Sequence, residues 1–265
     1  MAAELPQFET LLTSVADGVA TLSVNRPDAL NALNRQVFSD LAGALAALAE
    51  RDDVRVVVIT GAGEKAFVAG ADIKEMEGMT RAEAEARSWQ GMRLYDRIRH
   101  QPQPVLARIR GYALGGGMLL AMACDVRVAA EGARFGYPEI RLGIFPGTGG
   151  TVLIDRLFGA GTARALCLTG EHISARRAYE IGIVTHLVAD EGLDAEVARL
   201  SALMAGYSPL AVRELKGVLN ASLELDFQSA RAAEIAAYGR CFDSDDRKEG
   251  MQAFREKRPA QFTGK

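Results

Sequence analysis

Val54 to Gly61 reads VRVVVITG, and the four consecutive apolar residues at its centre are all β-branched. A short apolar run that ends in glycine is typical of a strand buried on both faces. Pro104 to Gly111, PVLARIRG, has the same character, and Asp17 to Asn25, DGVATLSVN, also has a strand-like pattern. These three stretches predict the strands of a sheet that is covered on both sides.

Helices are predicted around these strands. Between the predicted strands at residues 17–25 and 54–61, apolar residues recur at spacings of three and four, which places them on one stripe of a helix. They are Leu33, Val37, Leu41, Leu45 and Leu48. Strand alternating with helix predicts a layered α/β core. Beyond about Ser174 the pattern becomes helical, in SARRAYEIG, DAEVARLSALMAG, PLAVRELKGVLNAS, FQSARAAEIAAYGRCF and DRKEGMQAFREKR. This last segment either covers its own core or contacts a neighbouring subunit.

Composition excludes several classes of protein. The 265 residues are 49% hydrophobic and 25% charged, with 31 basic and 34 acidic side chains and a net charge of −3. The charges are spread along the chain, so we expect neither a nucleic-acid partner nor a membrane surface. Cys124, Cys167 and Cys241 form no CxxC pair, which favours a reducing compartment. No signal peptide or long apolar span is evident, so we expect a cytoplasmic protein.

Familiar motifs for cofactors and nucleophiles are weak or missing. Gly61 to Ala66 fits G-x-G-x-x-A after a strand, but another glycine follows at Gly70, and helices do not begin in that way. The sequence has neither a G-x-S-x-G elbow nor a phosphate-binding G-x-x-x-x-G-K motif. His100, His172 and His186 are far apart. We therefore predict no metal site and no bound cofactor.

Two loops are unusually bare. Gly115, Gly116 and Gly117 lead directly into an apolar helix, and Ala69 to Asp72 follows another predicted strand. Glycines between a strand and a helix start leave N–H groups uncovered at the positive end of the helix dipole. Two such groups that converge on one oxygen would form an oxyanion hole. Close helix packing or a tight turn is the alternative explanation.

Five motifs, spread in order over nearly the whole chain, resemble the enoyl-CoA hydratase/isomerase family, also called the crotonase superfamily. They are KAFVAGADIKEM (65–76), GYALGGGMLLAMACD (111–125), FGYPEIRLGIFPGTGG (135–150), LTGEHISARRAYEIGIV (168–184) and DDRKEGMQAFREKR (245–258). NRPDALNAL, from Asn25 to Leu33, resembles the family's first motif.

The resemblance implies an architecture and a substrate class. The expected fold is a spiral of ββα units over residues 1–190, followed by a helical trimerisation region over residues 191–265. Homotrimers or dimers of trimers are expected. The implied substrates are acyl-CoA thioesters of fatty acid metabolism, so that coenzyme A is part of the substrate rather than a cofactor.

The resemblance also implies site residues. The backbone amides of Ala71 and Gly116 match the family's oxyanion hole, and Glu139 matches the glutamate of its PE motif. Substrate contacts are expected from a further set: Arg26, Ala29, Leu30, Lys65, Ala69, Asp72, Ile73, Leu119 and Gly147. Lys65 is also readily explained as a solvated surface lysine. Trp89, Met92, Tyr112, Met118 and Phe145 are candidates for an acyl-tail pocket or for core positions.

One position departs from the hydratase pattern. Hydratases of this family carry a second catalytic glutamate where this sequence has Leu119. One carboxylate suffices to move a double bond, because it can take a proton from C2 and return it at C4. We therefore predict a Δ3 to Δ2 enoyl-CoA isomerase in which Leu119 forms an apolar wall and burial raises the pKa of Glu139.

Two alternatives stay open. Gly147 matches a position that helps to hold water in hydratases, so a hydratase with an altered second acid, such as Glu75 or Asp125, is one of them. Asp125 has the simpler reading of a structural residue at a strand start. A protein that binds CoA thioesters without turnover is the other alternative, although such a protein has no need of Glu139.

Overall fold

Two sheets organise the molecule. The structure, a computed structural model, describes residues 5–265. Its strands are β1 Leu11–Ala16, β2 Val19–Val24, β3 Val56–Gly61, β4 Ala66–Val68, β5 Val105–Ile109, β6 Tyr112–Leu114, β7 Val126–Ala130, β8 Arg134–Gly136, β9 His172–Ser174 and β10 His186–Val188. The large sheet has the order β1-β2-β3-β5-β7-β10, and only its first pair is antiparallel.

Successive strands alternate between the sheets. β3, β5 and β7 lie in the large sheet, whereas β4, β6 and β8 lie in a small sheet of order β4-β6-β8-β9. Each of β3, β5 and β7 is therefore followed by a short small-sheet strand and then by helical chain, which confirms the predicted ββα spiral. The three-residue strands β6, β8 and β9 were not predicted, because they are too short to show a period.

Ten helices complete the described part of the chain. They are α1 Arg35–Ala49, α2 Ile73–Met76, α3 Arg81–Arg99, α4 Gly116–Ala123, α5 Gly150–Thr169, α6 Ala175–Glu180, α7 Leu193–Ala205, α8 Pro209–Glu224, α9 Phe227–Asp243 and α10 Asp245–Glu256. Among residues 5–265, none of them is long and apolar enough to cross a membrane.

The predicted apolar stripe belongs to α1 with one correction. Leu41, Leu45 and Leu48 are fully buried in the main core. Leu33 is buried as well but precedes the helix, because the side chain of Asn34 accepts the N–H of Val37 at 2.9 Å and so caps the helix start. The backbone of Leu33 instead forms a bridge to the loop after β4.

The C-terminal helices have two kinds of partner. Helix α7 packs against the outer face of the large sheet, where Leu193, Val197 and Leu200 meet apolar residues of β3, β5 and β7. Helices α8 and α9 pack mainly on each other. The buried Lys216 of α8 joins this pair to the core, since its Nζ lies 2.7 Å from a carboxylate oxygen of Asp125.

Candidate active site

Three loops meet at one edge of the small sheet. β4 pairs with β6, and β6 with β8, in parallel, so their carboxyl ends lie side by side. β4 leads into residues 69–72, β6 leads through Gly115 into α4, and β8 leads into the short 3-10 helix Pro138–Leu142. Consecutive turns of the spiral thus bring together residues that are far apart in sequence.

The loops border a cavity of about 610 Å³. Of the residues expected from the sequence, Ala71, Gly116, Glu139 and Gly147 line it. Its other lining residues are Leu33, Phe38, Met76, Met79, Arg81, Ala84, Glu85, Arg87, Ser88, Trp89, Met92, Tyr95, Gly143, Ile144, Phe145 and Thr148. The cavity is thus bordered by the two bare loops, by the Glu139 turn and by one face of α3.

The Ala71 amide is directed by backbone pairing. In its parallel bridge, the N–H of Leu33 donates to the Gly70 carbonyl at 2.8 Å, and the Leu33 carbonyl accepts from the N–H of Asp72 at 2.9 Å. In a parallel bridge of this kind the residues on either side of Ala71, which are Gly70 and Asp72, make both hydrogen bonds to Leu33. The N–H of Ala71 therefore points away from Leu33. It is available to a molecule in the cavity.

The glycine run is explained by close contacts. A Cβ atom at Gly117 would lie 1.9 Å from the Val68 carbonyl oxygen, and one at Gly115, where φ is +52°, would lie 2.5 Å from Glu139 Oε1. Gly116 is the first residue of α4, so its N–H has no partner one turn earlier in the helix. The Tyr95 hydroxyl donates to the Gly116 carbonyl at 3.2 Å. Packing and an exposed amide therefore occur in the same loop.

Glu139 is an isolated carboxyl group in this cavity. It is half-buried, and its Oε2 atom is buried without a hydrogen-bond partner among the described residues. Burial raises the pKa of Glu139 to about 7, in the direction predicted from an apolar surrounding. A carboxyl group with this pKa can both accept and release a proton near neutral pH.

Leu119 does not form the expected wall of the larger cavity. Its buried side chain lines a neighbouring cavity of about 270 Å³. Met92, Tyr95 and Thr148 line both cavities. The reason is the direction of α4: its first residue faces the larger cavity, whereas Leu119 lies nearly one turn further on and faces α3 and α5.

The two suggested auxiliary acids are occupied elsewhere. Glu75 accepts the backbone N–H of Arg35 at 3.0 Å and lies 3.8 Å from Arg87. Asp125 accepts the Val105 N–H at 2.6 Å in addition to its pairing with Lys216, which fits its reading as a structural residue. Neither belongs to the cavity lining. Glu85 does line the cavity, but it is exposed and pairs with Arg81 at 2.7 Å.

The residues expected to bind coenzyme A lie in the loops beside the cavity rather than in its lining. Arg26 and Asp72 form an ion pair of 2.8 Å, and the N–H of Ala69 donates to the Leu30 carbonyl at 3.1 Å. These contacts join the two loops. Ala29 and Ile73 are exposed on the same loops, and Lys65 is exposed before β4. The hydrogen bond from Arg26 holds the pKa of Asp72 below its ordinary value, against the opposing effect of burial.

Sequence reasoning missed part of the α3 wall. Tyr95 and Arg87 line the cavity, but on a helix with apolar residues at regular spacing they cannot be told from core and surface positions. Of the acyl-tail candidates, Trp89, Met92 and Phe145 line the cavity, as the lining given above shows. Met118 is buried in the core and Tyr112 lies on the small sheet, outside the lining.

A metal centre has no evident ligands in the part of the chain that the structure describes. No group of three or more His, Cys, Asp or Glu side chains in residues 5–265 could hold a metal ion. The chemical groups that line the cavity are the backbone amides of the two loops, the half-buried carboxyl group of Glu139, an exposed carboxylate, two guanidinium groups and three hydroxyls, the last six from Glu85, Arg81, Arg87, Ser88, Tyr95 and Thr148.

Comparisons with known proteins agree with one another. The family model described as enoyl-CoA hydratase/isomerase matches residues 14–265. A crotonyl-CoA hydratase of Syntrophomonas wolfei is 41% identical over 97% of this chain and 99% of its own length. A short-chain-enoyl-CoA hydratase of Clostridium acetobutylicum is 40% identical over 91% and 92% of the two chains. The crystal structure of an enoyl-CoA hydratase from Bacillus anthracis superposes with a TM-score of 0.93 at 38% identity, over 97% of this chain and all of that one.

Proposed function

Because this chain belongs to the enoyl-CoA hydratase/isomerase family, we propose that it moves the double bond of 3-enoyl-CoA thioesters to C2, with Glu139 as the single base. The observation that carries this proposal is the unpaired carboxyl group of Glu139 in a cavity that also contains Ala71 and Gly116. Among residues 5–265, the one other carboxylate in the cavity lining is Glu85, which is exposed and paired with Arg81.

Isomerisation would proceed in two proton transfers. Glu139 takes a proton from C2 of the 3-enoyl thioester, and the electron pair of that C–H bond forms a dienolate whose negative charge lies on the thioester oxygen. The N–H groups of Ala71 and Gly116 donate to this oxygen, and each such donor stabilises the transition state by about 3 kcal/mol. Glu139 then returns the proton at C4, which restores its carboxylate and leaves the double bond at C2.

The coenzyme A part of the substrate would lie across the joined loops that contain Arg26 and Asp72, next to the cavity edge. The half-buried Arg26 and the exposed Lys65 offer positive charge to its phosphates. The acyl chain would extend along Trp89, Met92 and Phe145. Gly147 would contribute its backbone to the same cavity.

Addition of water to 2-enoyl-CoA thioesters is a second candidate function. It is favoured by the relatives, which include proteins named crotonyl-CoA hydratase and short-chain-enoyl-CoA hydratase at 41% and 40% identity. This reaction uses the same two amides, because it also passes through an enolate. It makes one further demand, since a second group must orient the attacking water.

The two functions are distinguished by incubating the protein separately with 3-hexenoyl-CoA and crotonyl-CoA in heavy water and following the mass of each thioester. We expect 2-hexenoyl-CoA, identified by its conjugated double bond, which carries deuterium to the extent that the proton held by Glu139 exchanges with solvent before it is returned. Glu139→Gln should lower this rate by about 10²- to 10⁴-fold, the range for loss of a general base. Glu180→Gln, at an exposed position of α6, is the matched control and should leave it unchanged.

Each other outcome contradicts the proposal in a defined way. Full activity of Glu139→Gln would remove Glu139 from the mechanism. Water addition to crotonyl-CoA without any double-bond shift would make the protein a hydratase. Tight binding of both thioesters without conversion of either one would identify a binding protein.

A further inference from the structure

The wall between the two cavities contains a hydroxyl group that neither the proposed isomerisation nor the sequence motifs account for. Tyr95 of α3 is only 3% exposed, yet it lines both the larger cavity and the smaller cavity that contains Leu119. The position on α4 that lacks a carboxylate therefore adjoins a polar atom that comes from the facing helix.

The orientation of this hydroxyl is fixed by its donor bond. Its proton is directed at the Gly116 carbonyl, 3.2 Å away. The lone pairs of the Tyr95 oxygen are therefore free to accept a hydrogen. The Tyr95 ring is held by its edge-on contact with Phe38, with ring centroids 6.4 Å apart, so the oxygen is presented at a defined place.

Tyr95 and Glu139 line the same cavity and both lie against the glycine run, since an added Cβ would be 3.4 Å from the Tyr95 hydroxyl oxygen at Gly116 and 2.5 Å from Glu139 Oε1 at Gly115. The negative charge of Glu139 contributes to raising the pKa of Tyr95, although burial is the main cause. Thr148, the residue after Gly147, lines the same cavity as Tyr95 and Glu139. The high pKa keeps Tyr95 protonated, so it takes part through hydrogen bonds rather than as a base.

We propose that the Tyr95 oxygen is the second hydrogen-bond acceptor for an attacking water, in place of the carboxylate that helix α4 lacks, so that the site also hydrates 2-enoyl-CoA thioesters. The proposal rests on the acyl-CoA site described above. Water would donate one hydrogen to Glu139 and the other to Tyr95, which leaves a lone pair of its oxygen to face C3 of the substrate.

The step balances with one base. Glu139 takes a proton from the water while the water oxygen bonds to C3, and the C2–C3 π electrons move to give an enolate on the thioester oxygen. The amides of Ala71 and Gly116 hold that charge. Glu139 then delivers its proton to C2, and the product is the 3-hydroxyacyl thioester. Tyr95 keeps its own proton throughout.

Tyr95→Phe tests the proposal, because it removes the oxygen and keeps the ring contact with Phe38. Three rates are compared in the full-length protein: hydration of crotonyl-CoA, isomerisation of 3-hexenoyl-CoA, and exchange of the C2 hydrogens of butyryl-CoA in heavy water. Exchange needs the base and the amides but no attacking water. We expect kcat for hydration to fall by about 10- to 100-fold, with isomerisation and exchange within about twofold of wild type.

Tyr137→Phe is the matched control. Tyr137 is also fully buried, but its hydroxyl faces the Met122 sulfur at 3.9 Å, and it does not line the cavity. All three rates should be unchanged in this variant. A second variant, Leu119→Glu combined with Tyr95→Phe, should recover hydration if a carboxylate on α4 can replace the tyrosine oxygen.

Several results would overturn the inference. An equal fall of all three rates in Tyr95→Phe would assign the hydroxyl to the packing of Gly116 alone. Unchanged hydration would remove Tyr95 from the reaction. Isomerisation without hydration in the wild-type protein would refute the water-holding role while the proposed function stands. Hydration that depends on Tyr95, without isomerisation, would support the water-holding role and refute the proposed isomerase function.

Discussion

Glu139 illustrates how surroundings decide the behaviour of a single residue. An ordinary glutamate is ionised well below neutral pH, whereas burial beside the start of α4 raises the pKa of this one to about 7. The same burial leaves its Oε2 atom without a partner among the described residues. This unpaired buried atom destabilises the folded protein, and a hydrogen bond from a substrate or water in the cavity would offset that destabilisation.

The first prediction concerns pH. In the proposed mechanism the carboxylate form of Glu139 is the base, so kcat/KM for isomerisation should rise as pH increases through about 7 and level off above it. An unperturbed glutamate would give the same rise near its ordinary value of 4.5. Measurement between about pH 5 and pH 9 distinguishes the two cases. A profile that is flat over this range would contradict the raised pKa.

The raised pKa also predicts an effect on stability. Between the ordinary value of 4.5 and about 7, the unfolded chain has released the Glu139 proton and the folded chain has not. The folded state binds more protons there, so the contribution of this group to stability falls as pH rises through that window. Glu139→Gln should therefore raise Tm at pH 8 and have little effect at pH 4. A Tm difference that does not change with pH would argue against this linkage.

Gly115, which lies against Glu139, gives a further prediction for a single substitution. A methyl group there would lie 2.5 Å from Glu139 Oε1, on a backbone with φ of +52°. Gly115→Ala should displace the carboxyl group and lower kcat for isomerisation by at least about tenfold, since small misplacements of catalytic groups are costly. Gly217→Ala, where nothing lies within 4 Å of the added carbon, is the control. Equal activity of both variants would show that Glu139 tolerates the shift.

Residues differ in how far sequence alone could place them. Glu139 and the glycines before α4 lie in motifs, and the structure brings them to one cavity. The direction of Leu119 could not be read from sequence, because it depends on how α4 crosses α3 and α5. Tyr95 could not be singled out either, since a tyrosine on the buried stripe of a helix is ordinarily a core residue.

At the scale of elements, α1, α4 and the C-terminal helices were predicted from the sequence, whereas the long helices α3 and α5 and the short strands β6, β8 and β9 were not. α1, α7, α8, α9 and α10 agree with the predicted helices within a few residues at their ends. β4, β6, β8 and β9 have three residues each, and they are strands only because a neighbouring strand pairs with them. Yet the loops after β4, β6 and β8 carry the candidate site.

The docking of helix α8 depends on one buried cation, which gives a prediction about stability. Lys216 lies 2.7 Å from Asp125 and donates to the carbonyls of Ile98 and Gln103 at 3.2 Å. Lys216→Met should lower the free energy of unfolding by about 2–4 kcal/mol, because it leaves a carboxylate and two carbonyls without their donor. Urea denaturation measures the change.

Two further variants make this result specific to the ion pair of the buried Lys216 with Asp125. Adding Asp125→Asn to Lys216→Met should restore part of the lost stability, since the uncompensated charge is then removed. Lys248→Met breaks an exposed pair with Asp245 and should have little effect. A loss as large in Lys248→Met as in Lys216→Met would contradict the special role of the buried lysine.

At the scale of the whole molecule, the helical pair α8 and α9 presents an apolar surface to solvent. Its exposed large side chains are Leu215, Leu219, Leu225, Phe227, Ile235, Tyr238 and Phe242. A surface of this kind is typical of a contact between subunits. This surface agrees with the trimeric assembly implied by the resemblance to the enoyl-CoA hydratase/isomerase family, and we propose that the protein forms a homotrimer or a dimer of trimers.

Sedimentation equilibrium tests this proposal directly. We expect a mass of three or six times the chain mass of 28.4 kDa. Ile235→Glu, at a position that is 71% exposed in the single chain, should shift the distribution toward smaller species if α9 lies in the contact, because a charge would then be buried. A monomer at micromolar concentration would contradict the proposal.

The two proposed hydrogen-bond donors, at Ala71 and Gly116, are backbone N–H groups, and this has a consequence for evolution. No change of codon at position 71 or 116 removes a peptide N–H, except one to proline. Substitutions over generations can therefore alter Leu119, Tyr95 or the cavity wall while the proposed means of stabilising an enolate is passed on intact. A lineage built on this spiral is free to exchange one reaction of that enolate for another, and divergence of chemistry within it requires no new fold.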